Sequence, residues 1–513
     1  VWQFVFFKKV PRMEEAAVEK PVISRPEPLV AEAERSKPHL DKGTISNVLE
    51  KDILVNADLF EAVFSTRGGA LKRWRLKKYK DKVENGNWIE MVTPGDSAQY
   101  PLSLSFSDPN LDNLEGAHYQ LESQTENAVQ FVYKQKGTKI ERTYVFKKES
   151  YEFSHTTRIW APRPLMKGEV FIGFSEGIPT DEKTNILFAA YADVRNFIYR
   201  LPGKTYRQKV SNLKEDKEIK NTIQWGGIEN RYFISALFNH SKVKPYLLIS
   251  SPLPGSGAIE FQFPFYKEAG DDFFEMSFSG YIGPKEVGLL KAVEPGFDEA
   301  VDFGMFSFLC IPLLFIMNFF YKFCHNYGVA ILLLTLLVRV LFHPLTKKSL
   351  KAMREMQRIQ PQIAKIKEKN KDDRQRMNKE VMDLMKSNKV NPLGGCLPLL
   401  FQMPIFFALY RLLYNAIELY QAPFFGWIKD LSTKDPLYIT PVLMGVAMFI
   451  QQKMTPTTSI DPVQQRMMML MPIIFSFFMI ALPSGLVLYI LASTLLQIVS
   501  QYVVNRDFAK QGL

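Results

Sequence analysis

The chain has 513 residues, 47% of them hydrophobic, with a formal net charge of +11. Its mean hydropathy of −0.09 averages two unlike halves: residues 44–300 have the composition of a water-soluble protein, and 303–504 are dominated by apolar runs. The three cysteines (Cys310, Cys324, Cys396) all fall in the apolar half, which excludes a disulfide framework and any zinc-ligand spacing.

In chain order, residues 1–7 are mostly apolar and are followed by two lysines, Lys8 and Lys9, which reads as the tail of a longer segment that begins upstream, a signal peptide or an anchor. Residues 8–43 are rich in proline and charge without apolar periodicity, the composition of a disordered tether. From about Ile45 to Ile282 the pattern becomes short and alternating, as in Phe60-Glu-Ala-Val-Phe-Ser and Thr143-Tyr-Val-Phe-Lys. Turn residues such as Gly68-Gly69 and Asn85-Gly86 punctuate it. Half-buried antiparallel strands over this length predict one large β-sandwich domain at 44–300.

The apolar segment at 303–325 contains Pro312 and has two placements. If it crosses the bilayer together with 328–345, the β domain faces the cytoplasm. If it lies flat in the interface, the β domain is outside. Ser307, Asn318, Lys322 and His325 share an arc of a helical wheel, but Ile311 and Leu314 fall in the same arc, so periodicity leaves both placements open.

The run 328–345 is long enough to span and carries Arg339. A charge there costs about 2.5–3.5 kcal/mol on insertion scales. Apart from Glu418 near one end, the other apolar runs hold no carboxylate to pair with it, which predicts a wet cavity around the guanidinium. Snorkelling to the headgroups is the alternative, at a reach of roughly 9 Å for six residues. Thr335 lies one turn earlier on the same side.

Residues 346–390 read as a helical hairpin, with Met356, Ile359 and Ile363 on one arm and Val381, Leu384 and Met385 on the other, and with Pro361 expected to kink the first arm. The stretch from Lys347 to Lys389 carries fourteen Lys or Arg against six Asp or Glu. Between two apolar runs that excess sets orientation, placing the loop in the cytoplasm, and no direct nucleic-acid partner is expected. Four further spans follow at 396–417, 436–453, 467–482 and 485–504, then a cytoplasmic tail at 505–513. Arg411 is expected to snorkel or to pair with Glu418. Gln402, Asn415, Gln451, Ser484, Ser493 and Thr494 are candidates to glue helices or line a cavity, Gln402 being the best placed for a cavity. Methionine is abundant, at 20, which suits core filling or a deformable apolar surface.

Catalytic signatures are missing. Gly203-Lys204-Thr205 imitates the end of a phosphate loop, but Ile198 stands where the first glycine is needed. The six histidines show no metal spacing. A secondary transporter with an intramembrane anion site at Arg339 is the alternative function. A membrane-anchored glycan enzyme is a weaker one, since no carboxylate or histidine constellation stands out.

Four stretches closely resemble the YidC family of membrane protein insertases: 339–345, Asn391-Pro-Leu-Gly-Gly-Cys-Leu-Pro-Leu-Leu-Phe-Gln-Met-Pro-Ile-Phe-Phe-Ala-Leu-Tyr410, Leu443-Met-Gly-Val-Ala-Met-Phe449 and Pro483-Ser-Gly-Leu-Val-Leu-Tyr489. The resemblance covers about 300–513, and the tether and β domain before it resemble the Gram-negative form. It implies a multidomain membrane protein with a periplasmic all-β supersandwich similar to sugar mutarotases. Residues 1–7 become the end of a truncated first transmembrane helix and 303–325 an interfacial amphipathic helix. The five core spans (328–345, 396–417, 436–453, 467–482, 485–504) and the cytoplasmic hairpin 346–390 enclose a hydrophilic groove. Arg339 matches the groove arginine, Thr335 and Gln402 match groove-lining positions, and Phe406, Met444 and Phe478 fall at or near substrate-contact positions. The implied function is an insertase and chaperone of the bacterial inner membrane, not an enzyme, without nucleotide, cofactor or metal. The implied partners are nascent membrane proteins, the Sec translocon, the ribosome and signal recognition particle pathway, and the lipid bilayer. The tail departs from relatives that dock ribosomes through a long basic extension, since 505–513 has only Arg506 and Lys510.

Overall fold

The computed structural model describes residues 50–92, 100–108, 111, 114, 116–135, 137–162, 168–177, 195–213, 215–251, 256–265, 272–370, 373–388, 390, 397–455 and 462–510. The expected end of a first transmembrane helix at 1–7, the expected tether at 8–43, and 391–396 of the family motif lie outside them.

Alternation drives the first half. Eighteen strands precede the long helices among the described residues. A four-stranded sheet runs in chain order through β1 (Asp52–Asn56), β2 (Phe60–Ser65), β3 (Ala70–Lys80) and β4 (Trp88–Val92). The rest are β5 (Ser105–Phe106), β6 (Gln120–Gln124), β7 (Ala128–Gln135), β8 (Thr138–Phe146), β9 (Glu152–Trp160), β10 (Glu169–Gly177), β11 (Asn196–Leu201), β12 (Lys204–Lys209), β13 (Lys217–Ile219), β14 (Trp225–Glu229), β15 (Phe233–Asn239), β16 (Tyr246–Ser250), β17 (Ser256–Pro264) and β18 (Phe274–Pro284). They form a nine-stranded sheet ordered β12-β11-β14-β15-β18-β9-β8-β7-β6 and a five-stranded sheet ordered β13-β16-β17-β10-β5. All the pairings are antiparallel.

Strand β9 shows the two-residue period plainly: Phe153, His155, Thr157 and Ile159 point inward and their neighbours do not. The four-stranded sheet covers the β7–β9 half of the large sheet through aromatic contacts. Trp74 meets Phe153 of β9 at 5.8 Å, and Phe64 meets Tyr144 of β8 at 4.6 Å. The five-stranded sheet covers the β11–β14 half, where a side chain at Gly257 would strike Val210 and Phe197. Of the Gly203-Lys-Thr205 triplet, Gly203 lies in the two-residue turn of the β11–β12 hairpin at φ 83° and Lys204 and Thr205 begin β12, which accounts for the glycine without a phosphate.

The second half is helical. A short helix, α1 (Val287–Val293), leaves the sheet, and α2 (Ser307–Cys324) packs on α3 (Tyr327–Lys369) and α5 (Leu397–Asn415). Between them stands α4 (Arg374–Ser387), and α6 (Ile439–Met454), α7 (Pro462–Met479) and α8 (Ser484–Lys510) follow. Asn326 caps α3 by accepting from Val329 N at 3.1 Å. Gly328 lies so close to Phe424 that a Cβ would come within 2.0 Å of the ring, so only glycine fits that crossing.

The span 328–345 and the first arm of the hairpin form one continuous helix. Helix α3 runs for 43 residues with Pro344 and Pro361 inside it. Apolar contacts on one face hold it together beyond the prolines: Leu350 and Met353 against Val504, then Met356, Ile359 and Ile363 against Val381, Leu384, Met385 and Val390. The second arm, α4, starts on an Asp373 cap that accepts from Arg376 N. By length and composition, three described helices can cross a membrane: Gly304–Cys324, Tyr327–Lys369 and Ser484–Arg506.

Helix α2 buries Cys310, Leu314 and Met317 and turns Phe308, Ile311, Phe315, Phe319 and Phe323 outward. Its outer face is therefore aromatic, whereas Asn318 points to the junction with the β domain. That junction is specific. Arg231 donates through Nε to Tyr414 O at 2.7 Å and lies 3.6 Å over the Tyr414 ring. Tyr420 and Gln421 both donate to Lys80 O, at 2.7 and 2.6 Å. Arg411 pairs with Asp302 at 3.6 Å and not with Glu418, because Glu418 sits in the turn Ile417–Leu419 and is bonded by Asn318 of α2.

Glu418, outside the predicted spans, is the buried acid of this junction. Burial pushes its carboxyl up to about 7, a backbone bond opposes the shift, Glu286 adds to it and the bond from Asn318 opposes it. Tyr79 and Tyr327 crowd the same site, and Asn318 Oδ1 is buried without a partner. Such a carboxyl, raised when folded, binds a proton that the unfolded chain has already released. Stability therefore falls as pH rises from the unfolded value toward the folded one at about 7. The Glu418→Gln protein should match the parent at pH 5 and melt above it at pH 8 in detergent; an offset equal at both pH values would contradict this assignment.

Candidate functional site

One helical turn separates Thr335 from Arg339, so α3 presents both to the same neighbour. With Val338, Phe342, Leu345 and Thr346 of α3, Gln402 and Ile405 of α5, and Tyr489 and Ser493 of α8, they line a small open pocket. Among the predicted site residues, the structure brings Thr335, Arg339 and Gln402 together. Phe406 is half-buried against the helical core, Met444 on α6 is fully buried, and Phe478 on α7 is 58% exposed; none of the three lines the pocket.

Arg339 does not run along its own helix toward either end. It reaches across to α8, where Nε and Nη2 donate to Ser493 Oγ at 3.1 and 2.6 Å and Nη1 donates to Gln497 Oε1 at 2.6 Å. Tyr489 is hydrogen-bonded to the same Ser493. Residues 489, 493 and 497 are spaced by four, so a single face of α8 supplies the whole receptor. The partners are neutral oxygens. They offset part of the cost of burying the guanidinium without cancelling its charge. A largely apolar cleft with one fixed cation is suited to hold a carboxylate or another anion.

The other polar candidates are structural. Asn415 donates to Asp302 O and Arg411 O. Ser484 bonds Asp430 O and, through its N–H, Thr433 O, tying the α7–α8 turn to the loop after α5. Thr494 bonds back to Ile490 O within its helix. Cys310 is buried, with Sγ 3.2 Å from Ala408 O, and Cys396 lies outside the described residues. Methionine divides by helix: Met444 is in the core, whereas Met467, Met469 and Met471 are exposed on α7.

Gln497 and Tyr489 escaped the sequence reading as site residues. The available signal was the spacing of four from Ser493.

Comparison with known proteins accounts for both halves of the chain. Residues 52–316 match the model of the YidC periplasmic domain, and residues 319–511 match that of the 60Kd inner membrane protein. The chain is 37% identical over 473 residues to the membrane protein insertase YidC of Syntrophus aciditrophicus, covering 89% of this chain and 85% of the relative. It is 38% identical over 492 residues to that of Geotalea daltonii, covering 89% and 87%. Among solved structures it is similar to an active YidC insertase with its first transmembrane domain resolved, at 21% identity and a TM-score of 0.39, covering 89% of this chain and 93% of the other. The chain belongs to the YidC family of inner membrane proteins, with a periplasmic domain followed by the family's helical membrane region.

Proposed function

We propose that this protein inserts nascent membrane proteins into the bilayer and assists their folding, using the Arg339 pocket as a hydrophilic groove. Family membership supports the insertase activity. The observation that carries the groove is Arg339, a cation set among three helices and held only by neutral oxygens. Helices α3 and α5–α8 cross the membrane, α2 lies in the interface with its aromatic face in lipid, and the arms of α3 and α4 from 346 to 390 receive the emerging chain in the cytoplasm. An acidic residue of the short tail to be translocated is drawn to Arg339. The apolar helix behind it then slides into lipid, gaining about 0.3–0.6 kcal/mol for each Leu, Ile, Phe or Val at its centre. No nucleotide enters this scheme. The protein acts alone or beside the Sec translocon, with the ribosome and signal recognition particle pathway delivering substrates. Phe406 and Phe478 contact the passing helix, and Met444, buried in the resting core, reaches it only if α6 shifts to uncover it.

Purified protein in liposomes without nucleotide should insert a short test membrane protein so that its tail becomes protected from added protease. In spheroplasts an impermeant thiol reagent should label a cysteine at Lys204 and miss one at Lys367. Solute flux without insertion would favour a transporter, and the reversed labelling pattern would place the β domain in the cytoplasm.

A further inference from the structure

Arg339 offers five N–H groups, and three are engaged by α8. Ser493 takes two through one hydroxyl oxygen. Gln497 takes the third through an amide oxygen at 2.6 Å, an acceptor shaped like one arm of a carboxylate but without its charge. One further turn along the same face, Gln501 is 1% exposed and donates from Nε2 to Met454 O at 2.7 Å. That bond ties the stripe to the end of α6, so the position of Gln497 is fixed by the fold.

We infer that Gln497 is a placeholder for the substrate carboxylate, holding Nη1 of Arg339 until an acidic tail displaces it, and so sets the preference of the pocket for acidic over neutral tails. The inference rests on the insertase reading of Arg339 and adds a specificity residue to it. The guanidinium makes its bond to Gln497 charge-assisted already, but a carboxylate adds a full counter-charge, which is worth more in low-dielectric surroundings. A carboxylate therefore gains by displacing the amide, while a neutral amide or hydroxyl on the substrate exchanges with it at about equal strength. Gln497→Glu keeps the size and the acceptor but makes the pairing ionic and permanent. An acidic tail would then meet an occupied arginine and a like charge.

The test uses the full chain in liposomes and three versions of one short membrane protein, with Asp, Asn or Lys at one tail position. Initial insertion rates are read by protease protection, and thermal unfolding in detergent checks the fold of each variant. Gln497→Glu should lower the Asp-to-Asn rate ratio about tenfold, equivalent to about 1.4 kcal/mol, and should raise the Lys-to-Asn ratio. Gln497→Met, which removes the acceptor, frees Nη1 for neutral tails as well and should lower the Asp-to-Asn ratio while leaving the Lys-to-Asn ratio unchanged. A structural role would slow all three substrates alike, and that outcome overturns the inference. If Arg339→Ala collapses the Asp-to-Asn ratio and Gln497→Glu leaves it unchanged, the placeholder is wrong and the groove reading stands. If neither variant moves the ratio, the groove reading fails and takes the placeholder with it.

Discussion

Arg339→Ala should slow the insertion of substrates with acidic translocated tails by about tenfold or more, equivalent to at least about 1.4 kcal/mol of lost stabilisation. The basis is the setting of the guanidinium: apolar pocket walls, neutral partners on α8, and no carboxylate among its hydrogen-bond partners in the described residues. In such surroundings a charge pair is worth several times its value in water. Substrates with neutral tails should suffer less, because the partitioning of their apolar helices is untouched. Arg339→Lys should retain much of the activity, since the charge remains, although it gives up the fork that spans Ser493 and Gln497. Arg339→Glu should be worse than alanine for acidic tails. Insertion rates of paired substrates differing by one Asp-to-Asn change measure all of this. A lysine variant as slow as alanine would make bidentate geometry the essential property, and an alanine variant without effect would reduce the arginine to a helix anchor.

Glu229→Gln should destabilise the β domain by about 3–5 kcal/mol, the usual cost of breaking a buried ion pair. Glu229 accepts from Arg207 Nε at 2.8 Å and from Lys285 Nζ at 3.1 Å, and the Glu229 and Lys285 side chains are only 2% and 5% exposed. Burial already pulls the Lys285 ammonium below its ordinary value, and Glu229, with a smaller contribution from Asp302, pulls it back. Without the carboxylate, a buried cation has lost its counter-charge. Lys285 follows β18 at the exit of the sheet toward α1 and the membrane helices, so the damage should reach the junction at Arg231 and Tyr420. Thermal unfolding in detergent should fall by on the order of 10 °C, and Glu229→Leu with Lys285→Met should recover most of the loss. A melting point within a degree of the parent would show that water reaches this cluster.

Local periodicity carried the elements, and long-range pairing decided what it left open. The inward set of β9 was readable as alternation, but nothing local joins β18 to β9 or gathers five strands around β17. Arg411 had two carboxylates in reach, Glu418 nearby in sequence and Asp302 over a hundred residues away; the distant one is the partner because Glu418 is turned into the junction. Pro361 read as a kink in the first arm of the hairpin, and α3 runs on through both it and Pro344, with contacts to α4 and α8 offsetting the lost backbone bonds. At the pocket, Thr335, Arg339 and Gln402 stood out because polar groups in apolar runs are costly. Gln497 did not, because a single neutral amide within an apolar run is ordinarily glue between helices.

The most direct test of the groove is a photoreactive residue in place of Gln402, which lines the pocket beside Arg339, in a cell-free reaction with a ribosome-stalled membrane protein. The control position is Phe315, 72% exposed on the outer face of α2. The groove predicts adducts from position 402 once the first apolar segment has emerged, and few from 315. Adducts from 315 with none from 402 would mean that substrates enter lipid along the outside of the bundle and never visit the arginine.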